Sequence, residues 1–153
     1  MKKVPIETFH IIGISVRTTN ENNQAAKDIG ELWNIFVSEN ILDKIHNKID
    51  DTVYAVYTDY ESDYTKPYTM LLGCKVESVE TIPEGMVVKT VKKGVYAQFI
   101  AKGDLTKGIV FEEWQKIWKA NLNRRYTTDF EVYTTNAQGP ANATIPIFIA
   151  INT

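Results

Sequence analysis

The feature that most constrains the fold is a repeated order of secondary structure elements along the chain. Apolar residues from Ala25 to Val37 recur at i, i+4, i+7 and i+8, which predicts an amphipathic helix over residues 24–38. The same spacing from Val110 to Leu122 predicts a second helix over residues 107–122. Strand-forming runs stand before and after each helix. The sequence therefore predicts a β-α-β-β unit that is used twice.

The predicted strands are rich in β-branched and aromatic residues and are separated by turn-forming residues. They cover residues 8–18, 52–59, 68–76, 86–91, 95–101, 130–135 and 145–151, with a Gly-Pro loop over Asn136–Ala143. The run at 86–91 is expected to link the two units. We expect one domain over residues 1–153, with pseudo-repeats at about 8–78 and 94–151.

Matching aromatic residues in the two units support a duplication. Trp33 on the first helix corresponds to Trp114 on the second, and Tyr57 corresponds to Tyr133 in the strands that follow. Two such copies predict an α+β fold with an antiparallel sheet and both helices on one side of it. A ligand groove is expected at the pseudo-twofold axis, because such junctions commonly bind small molecules.

Composition excludes several classes of protein. A net charge of −2 over 153 residues argues against binding nucleic acid by electrostatics alone. The single cysteine, Cys74, allows no intramolecular disulfide and fits a reducing, cytoplasmic setting. The apolar runs are too short to cross a membrane, and no signal peptide is evident. His10 and His46 are not spaced as metal ligands, so we expect neither a metal site nor a cofactor.

Glu131 is the most informative candidate site residue. It interrupts an otherwise strand-forming run and shares a strand face with Tyr133, opposite Phe130 and Val132. A carboxylate on a covered strand requires a cation, hydrogen-bond donors or a raised pKa. The alternative is an exposed glutamate on an edge strand.

Trp114 and Trp118 share one face of the second predicted helix, and Trp33 occupies the corresponding place on the first. Together they predict an aromatic box that holds an apolar or cationic ligand by stacking and cation–π attraction. Each tryptophan has the alternative of ordinary core packing. The tyrosines can add walls or hydroxyl donors; they are residues 54, 57, 60, 64, 68, 96, 126 and 133.

A basic cluster lies near the end of the second predicted helix and comprises Lys116, Lys119, Arg124 and Arg125. Glu112 and Glu113 offset its charge. We interpret the cluster as a solvated helix face without a role in a binding site.

Four segments resemble the GyrI-like small-molecule-binding domains, which also serve as effector-binding domains of AraC-type and MerR-type bacterial regulators. They are the strand from Val91 to Phe99 with Gly103, the helix from Phe111 to Trp118, the strand from Asp129 to Tyr133, and Pro67–Gly73. In the first of these, Val91 replaces the proline that is usual in the family. The resemblance covers almost the whole chain.

The resemblance implies a duplicated β-α-β-β fold with Glu131 at the floor of a groove that accepts lipophilic cations. It also implies ligand-binding walls formed by Trp114, Trp118, Tyr96 and Tyr133, to which the duplication adds Trp33 and Tyr57. We expect a stand-alone sensor or sequestering protein for a small molecule. No helix-turn-helix precedes the first predicted strand, so we expect no direct DNA binding.

Two other functions stay open at the level of sequence. Some members of the family are hydrolases, in which case Glu131 would act as a general base or nucleophile with a tyrosine as the acid. Others inhibit gyrase through a protein contact, and a protein partner of unknown identity is the third reading. The absence of a second acid, histidine or serine clearly paired with Glu131 favours a binding protein over a hydrolase.

Overall fold

The structure is a computed structural model that describes residues 1–134 and 140–153. Within these residues it contains eight strands and three α-helices. The strands are β1 (Lys2–Ile6), β2 (Phe9–Thr18), β3 (Val53–Thr58), β4 (Tyr68–Val76), β5 (Val87–Val91), β6 (Gly94–Gly103), β7 (Arg124–Tyr133) and β8 (Ala143–Ile151). The helices are α1 (Gln24–Ser38), α2 (Ile41–Lys44) and α3 (Ile109–Lys119). Short 3-10 turns cover Glu21–Asn23, Leu105–Lys107 and Pro140–Asn142.

All eight strands form one antiparallel sheet in the order β1-β6-β8-β7-β3-β4-β2-β5. The order is symmetric about the contact between β7 and β3, because β8 and β4, β6 and β2, and β1 and β5 follow at equal distances on the two sides. At this contact Ala55 lies opposite Glu131. This symmetric order supports the two predicted pseudo-repeats, whose boundaries stay a prediction.

The two longer helices pack on the same face of the sheet, which we call the helix face. Leu32 and Phe36 of α1 pack on Ile12 and Leu72 of the first half. In the second half, Trp114 and Ile117 of α3 pack on Ile145, Ile147 and Ile149 of β8. The strand register places these side chains on one face, so the predicted α+β class with both helices on one side is confirmed.

The sheet is strongly curved. A flat sheet would separate β5 from β6 by roughly 29 Å, since six strand spacings lie between them. Only Lys92 and Lys93 join these strands, and three peptide units span at most about 11 Å. The far sides of the sheet therefore approach each other, and a second core fills the face opposite the helices. That core includes Val91, Tyr96 and Phe130.

Three element predictions differ from the structure. The strand β1 was not predicted; it contains Pro5, which is tolerated because β1 is an edge strand paired only with β6. The second helix ends at Lys119 rather than at residue 122. The strand β7 begins at Arg124 rather than Phe130. The sequence does not predict its first half, because the polar residues there do not alternate with apolar ones as they do in a half-buried strand. The predicted strand residue Thr135 and the first half of the predicted loop, residues 136–139, lie outside the described residues.

Candidate functional site

A cavity of about 470 Å³ opens on the helix face between α1 and α3, above the contact of β3 with β7. Its walls are largely aromatic. The lining residues are Asn20, Asn23, Ala25, Ala26, Ile29, Trp33, Tyr57, Tyr60, Tyr64, Tyr68, Val110, Phe111, Trp114, Trp118, Arg124, Glu131 and Tyr133. The volume is within the range of pockets that hold drug-sized ligands.

Glu131 lies at the cavity floor, and its carboxylate accepts three hydrogen bonds. The Tyr57 hydroxyl donates to Oε2 over 2.7 Å, and the Trp114 indole Nε1 donates to the same oxygen over 2.6 Å. The Tyr133 hydroxyl donates to Oε1 over 2.6 Å. Hydrogen bonds of this length to a charged acceptor are among the stronger ones in proteins. They fix the orientation of the carboxyl group.

Burial sets the protonation of Glu131. Only 1% of the residue is exposed, and desolvation raises its pKa above the usual range. The hydrogen bonds from Tyr133, Trp114 and Tyr57 oppose this shift without cancelling it. No lysine, arginine or histidine among the described residues forms a salt bridge with Glu131. The cavity therefore has an acidic group at its floor that lacks a cationic partner from the described part of the chain.

Two equivalent aromatic pairs flank this carboxylate. Trp33 of the first half contacts Tyr133 of the second, with ring centroids 4.9 Å apart. Trp114 of the second half contacts Tyr57 of the first, with centroids 5.0 Å apart. Both contacts are edge-to-face, a preferred geometry for aromatic rings. The two pairs correspond to each other under the predicted duplication, and they give the cavity matching walls.

A third aromatic group lies at the rim. Tyr64, in the segment between β3 and β4, stacks on Trp118 with centroids 5.5 Å apart and rings nearly parallel. Phe111 contacts Trp118 edge-on and is 55% exposed. An apolar ring that enters the cavity would pass these side chains.

A second buried acid, Asp129, lies behind two lining residues of the cavity, Tyr60 and Arg124. Asp129 is fully buried and accepts hydrogen bonds from the Tyr60 hydroxyl over 2.6 Å, from Arg124 Nη2 over 2.7 Å and from the backbone N–H of Ala150 over 2.8 Å. The contact with Arg124 is a salt bridge. Unlike Glu131, Asp129 has its charge compensated inside the protein.

The structure brings six of the seven predicted ligand-binding residues together around the cavity. They are Trp33, Tyr57, Trp114, Trp118, Glu131 and Tyr133. Their contact with a ligand stays a prediction. Glu131 lies on β7 at the centre of the sheet, so the alternative of an exposed edge residue does not apply.

Tyr96 is the exception, and its predicted place in the cavity is wrong. It is fully buried on the face opposite the helices, where its cross-strand partner Ala150 also lies. Its hydroxyl donates to the carbonyl of Lys92 and lies 2.9 Å from Thr128 Oγ1. Tyr96 therefore stabilises the short connection between β5 and β6.

Sequence reasoning missed Arg124 and Asp129. The interpretation of Arg124 as part of a solvated helix face is wrong, since its side chain is 4% exposed and lies in β7. Strand alternation could have indicated Asp129, because it has the same parity as Glu131 and Tyr133. No local pattern indicates Arg124, which reaches the cavity through an irregularity of the strand.

The described residues contain no group of three or more histidine, cysteine, aspartate or glutamate side chains placed to hold a metal ion. None of their helices has the length and apolarity that a membrane span requires.

Comparison with known proteins assigns the family. The model of the family described as "Integron-associated effector binding protein" matches residues 4–151. The chain belongs to this family. The predicted resemblance to effector-binding domains of transcription regulators is thereby confirmed. The cavity and its acid belong to an effector-binding domain.

Relatives of this effector-binding domain include an integron cassette protein from the mobile metagenome of Vibrio cholerae. The two are 34% identical, and their structures agree with a TM-score of 0.77 over 99% of this chain and 95% of that one. YobU, a proposed transcriptional regulator of Bacillus subtilis, is 29% identical over 144 residues, which are 91% of this chain and 89% of YobU.

The same fold occurs in more distant proteins. SAV2435, solved bound to tetraphenylphosphonium, is 16% identical, with a TM-score of 0.79 over 99% of this chain and 93% of that chain. At this identity the similarity establishes the shared fold.

Proposed function

We propose that the protein binds lipophilic organic cations in the cavity between α1 and α3, as the ligand-recognising part of a regulatory or sequestering system. The observation that carries the proposal is the buried carboxylate of Glu131, which has hydrogen-bond donors but no cationic partner among the described residues. A ligand cation supplies the missing positive charge.

The aromatic walls suit the same class of ligand. The rings of Trp33, Tyr57, Trp114 and Tyr133 surround the carboxylate, and their faces attract cations by about 0.5–2 kcal/mol per contact. A delocalised or shielded cation is favoured over a small hydrated one, because it loses less hydration when it enters an apolar cavity. Tetraphenylphosphonium, the ligand of SAV2435, has this character.

The hydrogen bonds at the two acids favour binding over hydrolysis. Three donors hold the Glu131 carboxylate, and the Asp129 carboxylate is held by Arg124, Tyr60 and the backbone of Ala150. General acid–base hydrolysis would need a second group beside Glu131 that is free to exchange a proton, and the partners of Asp129 already hold its carboxylate. The buried Cys74 fits a reducing compartment such as the cytoplasm.

The test compares a cation with a neutral ligand of similar shape. Glu131→Gln keeps the size of the side chain and removes its charge. We expect it to weaken tetraphenylphosphonium binding at least tenfold, about 1.4 kcal/mol, in isothermal titration calorimetry. Neutral triphenylphosphine oxide should bind with nearly unchanged affinity.

Glu77→Gln is the matched control, because it removes an exposed carboxylate outside the cavity. It should leave both affinities unchanged. Equal affinities of the wild-type protein and Glu131→Gln for tetraphenylphosphonium would show that the proposal is wrong.

A further inference from the structure

Arg124 has buried hydrogen-bond donors for which the described part of the chain offers no acceptor. Its side chain is 4% exposed, and Nη2 donates to the Asp129 carboxylate. The Nε and Nη1 atoms are buried and have no hydrogen-bond partner among the described residues. Buried donors without partners are rare in folded proteins, because each loses the hydrogen bond that it had with water. Arg124 is also one of the residues that line the cavity, so a bound ligand lies next to this side chain.

An irregularity in β7 holds this guanidinium in place. The pairing of Arg124 with Ile151 is followed by that of Asp129 with Ile149, so β7 bulges by three extra residues. Within the bulge Tyr126 has φ of +55°, which is rare for a bulky side chain. The Tyr126 ring lies 4.2 Å from the guanidinium carbon of Arg124. Strained backbone of this kind is concentrated at functional sites.

The charges nearby determine which acceptor suits these donors. The carboxylate of Asp129 neutralises Arg124, and Glu131 follows Asp129 by two residues on the same face, roughly 7 Å along the strand. An anion bound at Arg124 would therefore find the positive charge already neutralised by Asp129, and the carboxylate of Glu131 would repel it. A neutral oxygen acceptor meets no net repulsion and still receives hydrogen bonds from a charged donor.

We propose that Arg124 forms a subsite that donates hydrogen bonds to a neutral oxygen of the ligand, such as a carbonyl, amide or ether oxygen. We call it the acceptor subsite, after the ligand atom that it binds. The inference rests on the proposed function, since it places the cationic part of the same ligand over Glu131. The preferred ligand is an aromatic organic cation with an oxygen acceptor at the end of one arm. This second contact fixes the orientation of a ligand between nearly symmetric walls.

The experiment uses three tetraphenylphosphonium derivatives that differ at the para position of one ring. The substituents are isopropyl, carboxamide and carboxylate, which have similar shapes. In the wild-type protein the carboxylate should bind at least tenfold more weakly than the carboxamide. The carboxamide preference is the ratio of the isopropyl Kd to the carboxamide Kd, measured by calorimetry on the full chain.

The test variant is Arg124→Met combined with Asp129→Asn, which removes both charges of the pair together. We expect the carboxamide preference to fall at least tenfold, about 1.4 kcal/mol, while the isopropyl compound binds as before. Arg124→Lys retains a cation beside Asp129 but not the planar donors. It should also lower the carboxamide preference. If the double variant does not fold, the preference is measured in this variant instead.

The possible outcomes separate this inference from the proposed function. Binding of all three compounds with a carboxamide preference that survives both variants overturns the acceptor subsite alone. Tighter binding of the carboxylate than of the carboxamide also overturns it, since the site would then select anions. Failure of the wild-type protein to bind any of the three compounds contradicts both proposals.

Discussion

The two halves of the molecule contribute equivalent aromatic rings to the cavity but very different charges. Trp33 with Tyr133, and Trp114 with Tyr57, form edge-to-face contacts of nearly equal length across the pseudo-twofold axis. At the centre of that axis, however, Ala55 of the first half lies opposite Glu131 of the second. The shape of the cavity is therefore close to symmetric, and its electrostatic field is not.

In the described part of the chain the charged residues that line the cavity, Arg124 and Glu131, both lie in β7, as does Asp129, the partner of Arg124. The residue of β3 that corresponds to Asp129 is the apolar Val53, at the same separation of 76 residues that relates Ala55 to Glu131. A cavity with matching walls could hold a ligand in two opposite orientations with similar energy. Because the charges lie in one half only, they favour one of the two orientations. Variants of the equivalent residues in the two halves test whether the halves differ in this way.

The largest expected effect comes from breaking the charge pair of the second half. Arg124→Met leaves Asp129 buried without its cation, and we expect the free energy of unfolding to fall by about 3–5 kcal/mol. Urea denaturation monitored by tryptophan fluorescence measures this loss. Adding Asp129→Asn should restore part of the stability. A single variant as stable as the wild-type protein would contradict the importance of the pair.

The two equivalent tryptophans should differ when each is replaced by phenylalanine. Trp114→Phe removes a hydrogen bond to the buried Glu131 carboxylate, whereas Trp33 makes no such bond. We expect Trp114→Phe to destabilise the protein by about 1.5–3 kcal/mol more than Trp33→Phe. Urea denaturation of the two variants side by side is the measurement. Equal losses would mean that the tryptophans contribute by packing alone.

The two equivalent tyrosines offer a finer comparison. Tyr133 is the only side-chain donor to Glu131 Oε1 in the described part of the chain, whereas Tyr57 shares Oε2 with Trp114. Tyr133→Phe should therefore raise the pKa of Glu131 further than Tyr57→Phe does. Carboxyl ¹³C NMR of the two variants in a pH titration tests the order. A larger shift in Tyr57→Phe would refute it.

The smallest expected effect is in the pH dependence of stability. Burial raises the pKa of Glu131 in the folded protein above its ordinary value of 4.5, so the folded state binds this proton more tightly than the unfolded state does. The contribution of Glu131 to the free energy of unfolding should thus decline as pH rises from 4.5 through the raised pKa. Thermal unfolding should show this decline in the wild-type protein relative to Glu131→Gln. Parallel pH profiles would contradict it.

The same residue makes cation binding depend on pH in the opposite sense. Affinity for tetraphenylphosphonium should rise as pH increases through the raised pKa, because only the ionised carboxylate attracts the cation. In Glu131→Gln the affinity should be flat over the same range. A wild-type affinity that does not change with pH would place the cation away from this acid.

Much of the fold could be predicted from sequence because its signals are local. Helix periodicity gave α1 at its observed bounds and α3 to within three residues at its end, and the strand containing Glu131 was recognised from its β-forming neighbours. Alternation placed Glu131 and Tyr133 on one face. These inferences depend only on residues a few positions apart.

The errors concern information that is not local. Tyr96 was assigned to the cavity from a family motif, but its face depends on the register of β6 against β8 and on the curvature of the sheet. Arg124 is predicted from the sequence to lie on a solvated helix face, because it follows the basic residues of the second helix and nearby glutamates offset their charge. Its burial depends on the bulge in β7 and on an acid five residues further along the chain.

The contact between β3 and β7 has a consequence for the protein during synthesis. In the folded protein β3 pairs with β4 on one side and with β7 on the other. During synthesis β7 follows much later than β4, since it begins at Arg124, 66 positions after β3 ends at Thr58. Until then one edge of β3, a strand of valine, tyrosine, alanine and threonine, has no partner strand, and such an edge can pair with a second chain. We expect the first half alone to associate antiparallel through β3, with Ala55 facing its copy across a true twofold axis.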